Sequence, residues 1–173
     1  TKVDVNSKGM LILLSRNHYG FLKRLFELEI PEINDGTVLI YSVAREAGSR
    51  SKVAVYSQND RIDPVGACIG EKGSRIANIL KELHHEKIDI IKYDSQPEKF
   101  IENALAPAKN LKVLIMDPKK NQAMVVADEE NFTLAIGKKG QNAKLASKLT
   151  RYKIDIKSLE DAQELGIVFR EEE

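Results

Sequence analysis

The chain is poor in the residues that usually announce chemistry. It holds one cysteine, Cys68, and no tryptophan in 173 residues. A single thiol excludes an internal disulfide framework and a four-cysteine zinc site, and the expected role of Cys68 is that of a small buried apolar side chain. No charge-free apolar run reaches the ~18 residues needed to span a bilayer, and no basic-then-apolar leader with a small-residue cleavage site opens the chain. These absences predict a soluble cytoplasmic protein with no membrane contact. Net charge is only +1, so any face that attracts an anion has to arise from local segregation of charge. Thr1 is not an initiator, and Val3, Val5 and the apolar run 10–14 read as the last strands of a domain that begins earlier. The chain is therefore expected to be an excised fragment.

What is present is a duplication. Ile69-Gly70-Glu71-Lys72-Gly73 and Ile136-Gly137-Lys138-Lys139-Gly140 each follow a short helical stretch and open a second helix. Each is followed at nearly the same distance by Lys-Ile-Asp-Ile, at Lys87 and at Lys153. A single Gly-x-x-Gly carries little information, but a repeat of this length marks a folded module. The spacing predicts two modules of roughly 65 to 75 residues, near the lower size limit for independent folding.

Phe21, Leu22, Leu25, Phe26 and Leu28 recur at helical spacing until Pro31 stops them. Residues 37–44 and 52–57 read as strands flanking a hairpin with a polar, basic tip at 45–50. Asp63-Pro64 is an N-cap followed by proline in the first turn, predicting a short helix to the first Gly-x-x-Gly. Ile76, Ile79, Leu80 and Leu83 then share a helical face, and Ile88 and Ile90 alternate with polar residues as a strand. The second unit replays that order: a helix from Ser95-Gln96-Pro97 to Pro107, strands at 111–116 and 122–127, helices at 129–136 and 141–150, and a strand at 153–157. A last helix is predicted at 158–165, with a solvated tail at 170–173. The fold class is α+β, each unit a small three-stranded sheet covered by helices in the order α-β-β-α-GxxG-α-β.

These residues resemble a known family. Gly-x-x-Gly between two helices is similar to the KH RNA-binding domain, with strands ahead of the helix-turn-helix as in its prokaryotic, type II form. The stretches 21–33, Ser42-Val43-Ala44-Arg45-Glu46-Ala47-Gly48, Asp63-Pro64-Val65-Gly66-Ala67-Cys68-Ile69-Gly70 and 134–142 resemble the NusA family of bacterial transcription termination/antitermination proteins over essentially the whole chain. The resemblance implies residues 1–15 as the end of an S1 (OB-type) domain, 16–94 as a first KH domain, 95–158 as a second, and 159–173 as a C-terminal helix and acidic tail. It further implies a non-enzymatic monomer that contacts nascent single-stranded RNA, RNA polymerase and other antitermination factors. A KH-fold ribosomal protein, a KH accessory region of an RNA-processing enzyme and a protein-interaction scaffold are the alternatives.

Paired glycines let a backbone turn approach a phosphate chain closely, and the following helix offers amides and the positive end of its dipole. The alternative for each turn is a plain inter-helix connection. Candidate phosphate contacts are Gly70, Glu71, Lys72, Gly73 and Arg75 in the first turn and Gly137, Lys138, Lys139, Gly140 and Lys144 in the second. Glu71 departs from a basic turn and either weakens anion attraction or orients Lys72 or Arg75. Ile69 and Ile136 are candidates for the apolar floor beneath bases. Val65, Ile76, Phe132 and Ala143 line it or belong to the core. Ser74, Gln141 and Asn142 are candidate polar readers or helix caps. Residues 131–154 carry Lys138, Lys139, Lys144, Lys148, Arg151 and Lys153 and no acid, a local basic surface that the net charge conceals. No cofactor or metal is predicted: His84 and His85 are adjacent on a helix and point apart, Asp63 is explained as a cap and Asp60 as loop, and residues 66–73 do not match a phosphate-binding P-loop.

Overall fold

A computed structural model describes residues 2–6 and 9–166; the predicted tail at 170–173 lies outside the described residues. Strands β1 (Lys2–Asn6) and β2 (Gly9–Leu13) form an antiparallel hairpin. The first unit follows as α1 (Tyr19–Glu29), α2 (Pro31–Asn34), β3 (Val38–Glu46), β4 (Arg50–Ser57), α3 (Pro64–Ile69), α4 (Ser74–Leu83) and β5 (Lys87–Lys92). The second comprises α5 (Pro97–Ala104), β6 (Lys112–Asp117), β7 (Gln122–Ala127), α6 (Glu129–Ile136), α7 (Gln141–Thr150) and β8 (Lys153–Ser158), and α8 (Leu159–Glu164) ends the described chain. Each unit has a three-stranded sheet, β3-β4-β5 or β6-β7-β8. The central strand runs antiparallel to the first and parallel to the last. A parallel return needs a long crossover, and in both units the helix-turn-helix supplies it.

The helix starts are written locally. Asp63 accepts from the Val65 amide with Pro64 in the first turn, and Asp128 accepts from the Asn131 amide. Ser158 and Asp161 form a reciprocal capping box at α8, a motif that satisfies two orphan donors together. On α1, Leu22, Leu25 and Phe26 are buried, whereas Leu28 is 64 % exposed. At 100° per residue Leu28 lies about a third of a turn from the centre of that stripe.

The first core gathers Leu22, Phe26, Ile30, Val38, Val53, Val55, Cys68 and Ile79. Burial pushes the Cys68 thiol up to about 12, helped by the nearby Glu32 carboxylate, so it stays protonated and inert. The second core combines Phe100, Ile101, Leu105, Val125, Leu145 and Leu149 with Ala44, Ala54 and Ile91 of the first unit. The first sheet is therefore covered on both faces, its outer one by α5 and α7. Alanines at 44 and 54 leave room for that close approach. Ser42 Oγ donates to the Leu149 carbonyl at 2.9 Å, and Lys52 Nζ donates to the Ala106 carbonyl at 2.8 Å and to Asp89 at 3.0 Å. Lys52 is fully buried.

The hairpin joining β3 and β4 differs from the predicted basic tip. Arg45 turns inward and pairs with Glu86, which is 2 % exposed. Its remaining nitrogen donates to the carbonyls of Arg16 and His18 at 2.7 and 2.9 Å. Arg50 is held by both oxygens of Asp89 at 2.8 and 2.9 Å. Both guanidinium groups are spent on carboxylates from the strand end beside them, leaving Ala47, Gly48 and Ser49 at the tip.

Candidate nucleic-acid interface

The two turns have the same backbone. Gly70 lies at φ 74°, ψ 173° and Gly137 at 73°, 175°; Gly73 lies at 76°, 17° and Gly140 at 73°, 11°. Between them Lys72 and Lys139 sit in left-handed conformations at φ 51° and 54°, a strained state for a residue with a Cβ. The same strained lysine conformer thus recurs at the equivalent place in both units.

The first glycine of each pair is also a point of close approach. A Cβ on Gly70 would stand 2.6 Å from Arg75 Cγ, and one on Gly137 would stand 2.7 Å from Asn142 Cβ. Arg75 and Asn142 occupy equivalent places after their turns and do the same job. Arg75 Nη1 donates to the Ala67 carbonyl at 2.7 Å and Asn142 Nδ2 to the Leu134 carbonyl at 3.3 Å, each eight residues back. Both side chains tie the second helix of the pair to the first beneath the turn.

Two predicted contact residues turn to partners inside the protein. Asn142 is 3 % exposed and also donates to the Leu105 and Ala135 carbonyls, both at 3.0 Å. Its Oδ1 has no partner among the described residues. It is a buried brace whose amide is shared among three carbonyls, of which that of Leu105 also accepts from the Ala108 amide at 3.2 Å. Arg75 is half-buried and ion-paired to Glu32 at 2.7 Å, so Glu32 rather than Glu71 orients it and neutralises part of its charge. The amide cradle is also narrower than expected. Gly73 and Gly140 donate back to Gly70 and Gly137 at 3.1 Å, and the Ser74 and Gln141 amides donate back to Glu71 and Lys138.

The remaining candidates are placed at the surface. Glu71, Lys72, Ser74, Lys138, Lys139 and Lys144 are exposed, Gln141 and Ile136 are half-buried, and Ile69 is 40 % exposed. Lys148, Arg151 and Lys153 are exposed as well, and none of the six cations between 138 and 153 forms an ion pair among the described residues. The second turn is accordingly the more cationic. The first has an exposed carboxylate at Glu71 and an arginine already engaged by Glu32. One residue escaped the sequence pattern: Ser49, at the hairpin tip of the first unit, whose Oγ accepts from Gln141 Nε2 at 2.7 Å. Nothing local to residue 49 signals a partner 92 positions away.

Two domain descriptions match these units. Residues 16–93 match the NusA-like first KH domain and residues 97–164 the NusA-like second KH domain. The chain belongs to the NusA-like KH family. It is 55 % identical over 97 % of its length to the transcription termination/antitermination protein NusA of Halalkalibacterium halodurans and 54 % identical over 99 % to that of Bacillus subtilis. The NusA of Thermus thermophilus is 48 % identical over 92 % of the chain. The chain spans less than half of these curated relatives, 44 %, 46 % and 41 % of their lengths. These relatives are named for transcription termination and antitermination. The crystal structure of APE1850 shares the fold, with TM-score 0.55 at 24 % identity, covering 79 % of this chain and 96 % of that one. A tandem NusA-like KH pair is thus the architecture in which the two equivalent turns sit.

Proposed function

We propose that the chain is the RNA-reading part of a transcription elongation, termination and antitermination factor, in which two rigidly joined KH domains hold one continuous single strand of nascent RNA at RNA polymerase. The observation that carries this is the pair of equivalent turns, each exposed and the second set in a surface of unpaired cations. Ile69, Gly70, Lys72 and Gly73 form the first clamp, and Ile136, Gly137, Lys138, Lys139, Gly140, Gln141 and Lys144 the second. Ser74 and Glu71 border the first clamp, while Arg75 and Asn142 act from beneath the turns. The hairpin β1–β2 exposes Val5, Met10, Leu11, Ile12 and Leu13. An isolated two-stranded hairpin is marginal in water, which supports reading residues 1–15 as the end of a preceding S1-type domain. The factor acts as a monomer in the cytoplasm.

The test is titration of single-stranded RNA against Gly73→Asp and Gly140→Asp. Both positions lie in the left-handed helical region, which aspartate tolerates better than most residues, and a Cβ there meets nothing closer than 4.0 Å. The fold survives while a negative charge enters each clamp. Binding should weaken for each variant and fall furthest for the pair; unchanged affinity in a folded double variant would reject the clamps. Salt dependence should flatten by about one unit of slope for each of Lys138 and Lys139 removed.

A further inference from the structure

We infer that the second clamp is completed by the first domain: Ser49 is a positioning residue that holds Gln141 so that its carbonyl oxygen accepts a hydrogen bond from a donor group on a nucleotide. The inference rests on the RNA-binding reading above and names the chemistry of one subsite within it. Gln141 is the first residue of α7, immediately after Gly140. Its amide nitrogen donates to Ser49 Oγ at 2.7 Å, which directs the amide plane and leaves Oε1 without a hydrogen bond among the described residues. With one N–H held by Ser49, the amide presents its carbonyl oxygen beside a second N–H, and the partner assigned to that oxygen is an N–H or O–H of the strand.

Ser49 can do this because its hairpin is fixed. The Gly48 amide donates to Glu86 Oε2 at 3.0 Å, the Ser49 amide to the Glu46 carbonyl at 3.0 Å, and the Lys87 amide to the Ser49 carbonyl at 2.9 Å. Glu86 is itself clamped by Arg45 and by Ser51 Oγ at 2.6 Å. At the other end of α7, Ser42 of the same β3–β4 ribbon holds the Leu149 carbonyl. The helix is therefore pinned to the first domain near both ends, and the pin at its start passes through the side chain next to the second clamp. The first clamp has no counterpart, since Ser74 stands where the second has Gln141.

Three donors share the required chemistry, the ribose 2′-hydroxyl, an exocyclic base amino group and a ring imino N–H such as that of uracil. The probes that separate them are short adenine, cytosine and uracil homopolymers in ribose form and the adenine and cytosine homopolymers in deoxyribose form, titrated against the whole chain. Ser49→Ala should narrow the preference of the wild-type chain by about fivefold, the size of one lost hydrogen bond, with the disfavoured probes binding as before. Ser49→Thr, which keeps the hydroxyl, should restore the preference. Gln141→Ala should narrow it to the same extent, and the Ser49→Ala/Gln141→Ala pair should be no worse than Gln141→Ala alone. Narrowing of the ribose-over-deoxyribose ratio assigns the 2′-hydroxyl; narrowing of an adenine or cytosine preference over uracil assigns the amino group; narrowing of a uracil preference over adenine assigns the imino N–H. Unchanged ratios in Ser49→Ala, or additive effects in the pair, would overturn the inference while leaving clamp binding intact. Loss of clamp binding itself is read separately, from the wild-type chain against Gly140→Asp.

Discussion

Single residues beneath the turns set their shape, and the two glycines of each pair are not equivalent. Gly137 combines φ 73° and ψ 175°, a region essentially confined to glycine, with an approach of 2.7 Å to Asn142 Cβ and 3.0 Å to its backbone nitrogen. Gly140 has the left-handed φ but open space where a Cβ would go. Gly137→Ala should therefore cost about 2–4 kcal/mol in a urea melt, and Gly140→Ala about 1 kcal/mol. Equal costs would show that the contact with Asn142 does not constrain the turn. Asn142 gives a second prediction. Asn142→Ala removes the donor from three carbonyls, of which, among the described residues, only that of Leu105 keeps another, the Ala108 amide, and should cost about 1–3 kcal/mol, whereas Asn142→Asp places an acceptor-only charge among them and should cost more. A neutral Asn142→Asp would reverse the assignment of Asn142 as brace. The sequence made the turns visible through their glycines, but it could not separate a brace from a contact. Arg75 and Asn142 are polar residues early in a helix, and polar residues there serve solvent, ligand or cap equally well until the neighbouring carbonyls are located.

At the scale of elements, caps and periodicity made most helices and strands legible, because Asp63-Pro64, the Lys-Ile-Asp-Ile repeats and the buried stripes act within a few residues. The hairpin tip was misread for the converse reason. Arg45 and Glu86 are distant in sequence, and only the parallel pairing of β4 with β5 brings them together. That pair makes the hairpin sensitive to acid. Burial alone would raise the Glu86 carboxyl, but hydrogen bonds from Arg45, Ser51 and the Gly48 amide outweigh it and hold it below the usual carboxylate range. A carboxyl depressed in the folded state contributes stability that is complete above its unfolded pKa and is lost as pH falls through the folded one. Wild-type stability should thus decline on acidification below about pH 4. Glu86→Gln, destabilised by about 3 kcal/mol at neutral pH because Arg45 is left buried and unmatched, should decline less steeply. Parallel pH profiles of the urea midpoint would remove Glu86 from the account.

The whole molecule depends on a seam that the sequence conceals. Lys52 is a charged residue at the start of a strand, yet the second domain covers it completely, and burial lowers its pKa against the opposing pull of Asp89. At the corresponding place in the second sheet stands Met124, paired with Asp155 as Lys52 is with Asp89, and Asp155 is 61 % exposed at its side chain. The same module surface is thus closed in the first domain and open in the second. Sequence repetition reports the similarity of the units, but their joint is built from what differs between them. If the joint holds the clamps at a fixed spacing, a strand engaging one is presented to the other at high effective concentration, and affinity for a spanning RNA exceeds that for a short one without any new contact. Ala54→Glu puts an unpaired carboxylate into the covered face of the first sheet, between Ser42 and Ile91. Its unfolding should separate into two transitions where the wild-type chain shows one, and affinity for an RNA long enough for both clamps should fall by at least about tenfold, while an RNA that fills only one clamp loses no more than the about fivefold ascribed to the Ser49–Gln141 contact. Equal losses for both RNAs would mean that the seam supports each domain's own fold and not the span between clamps.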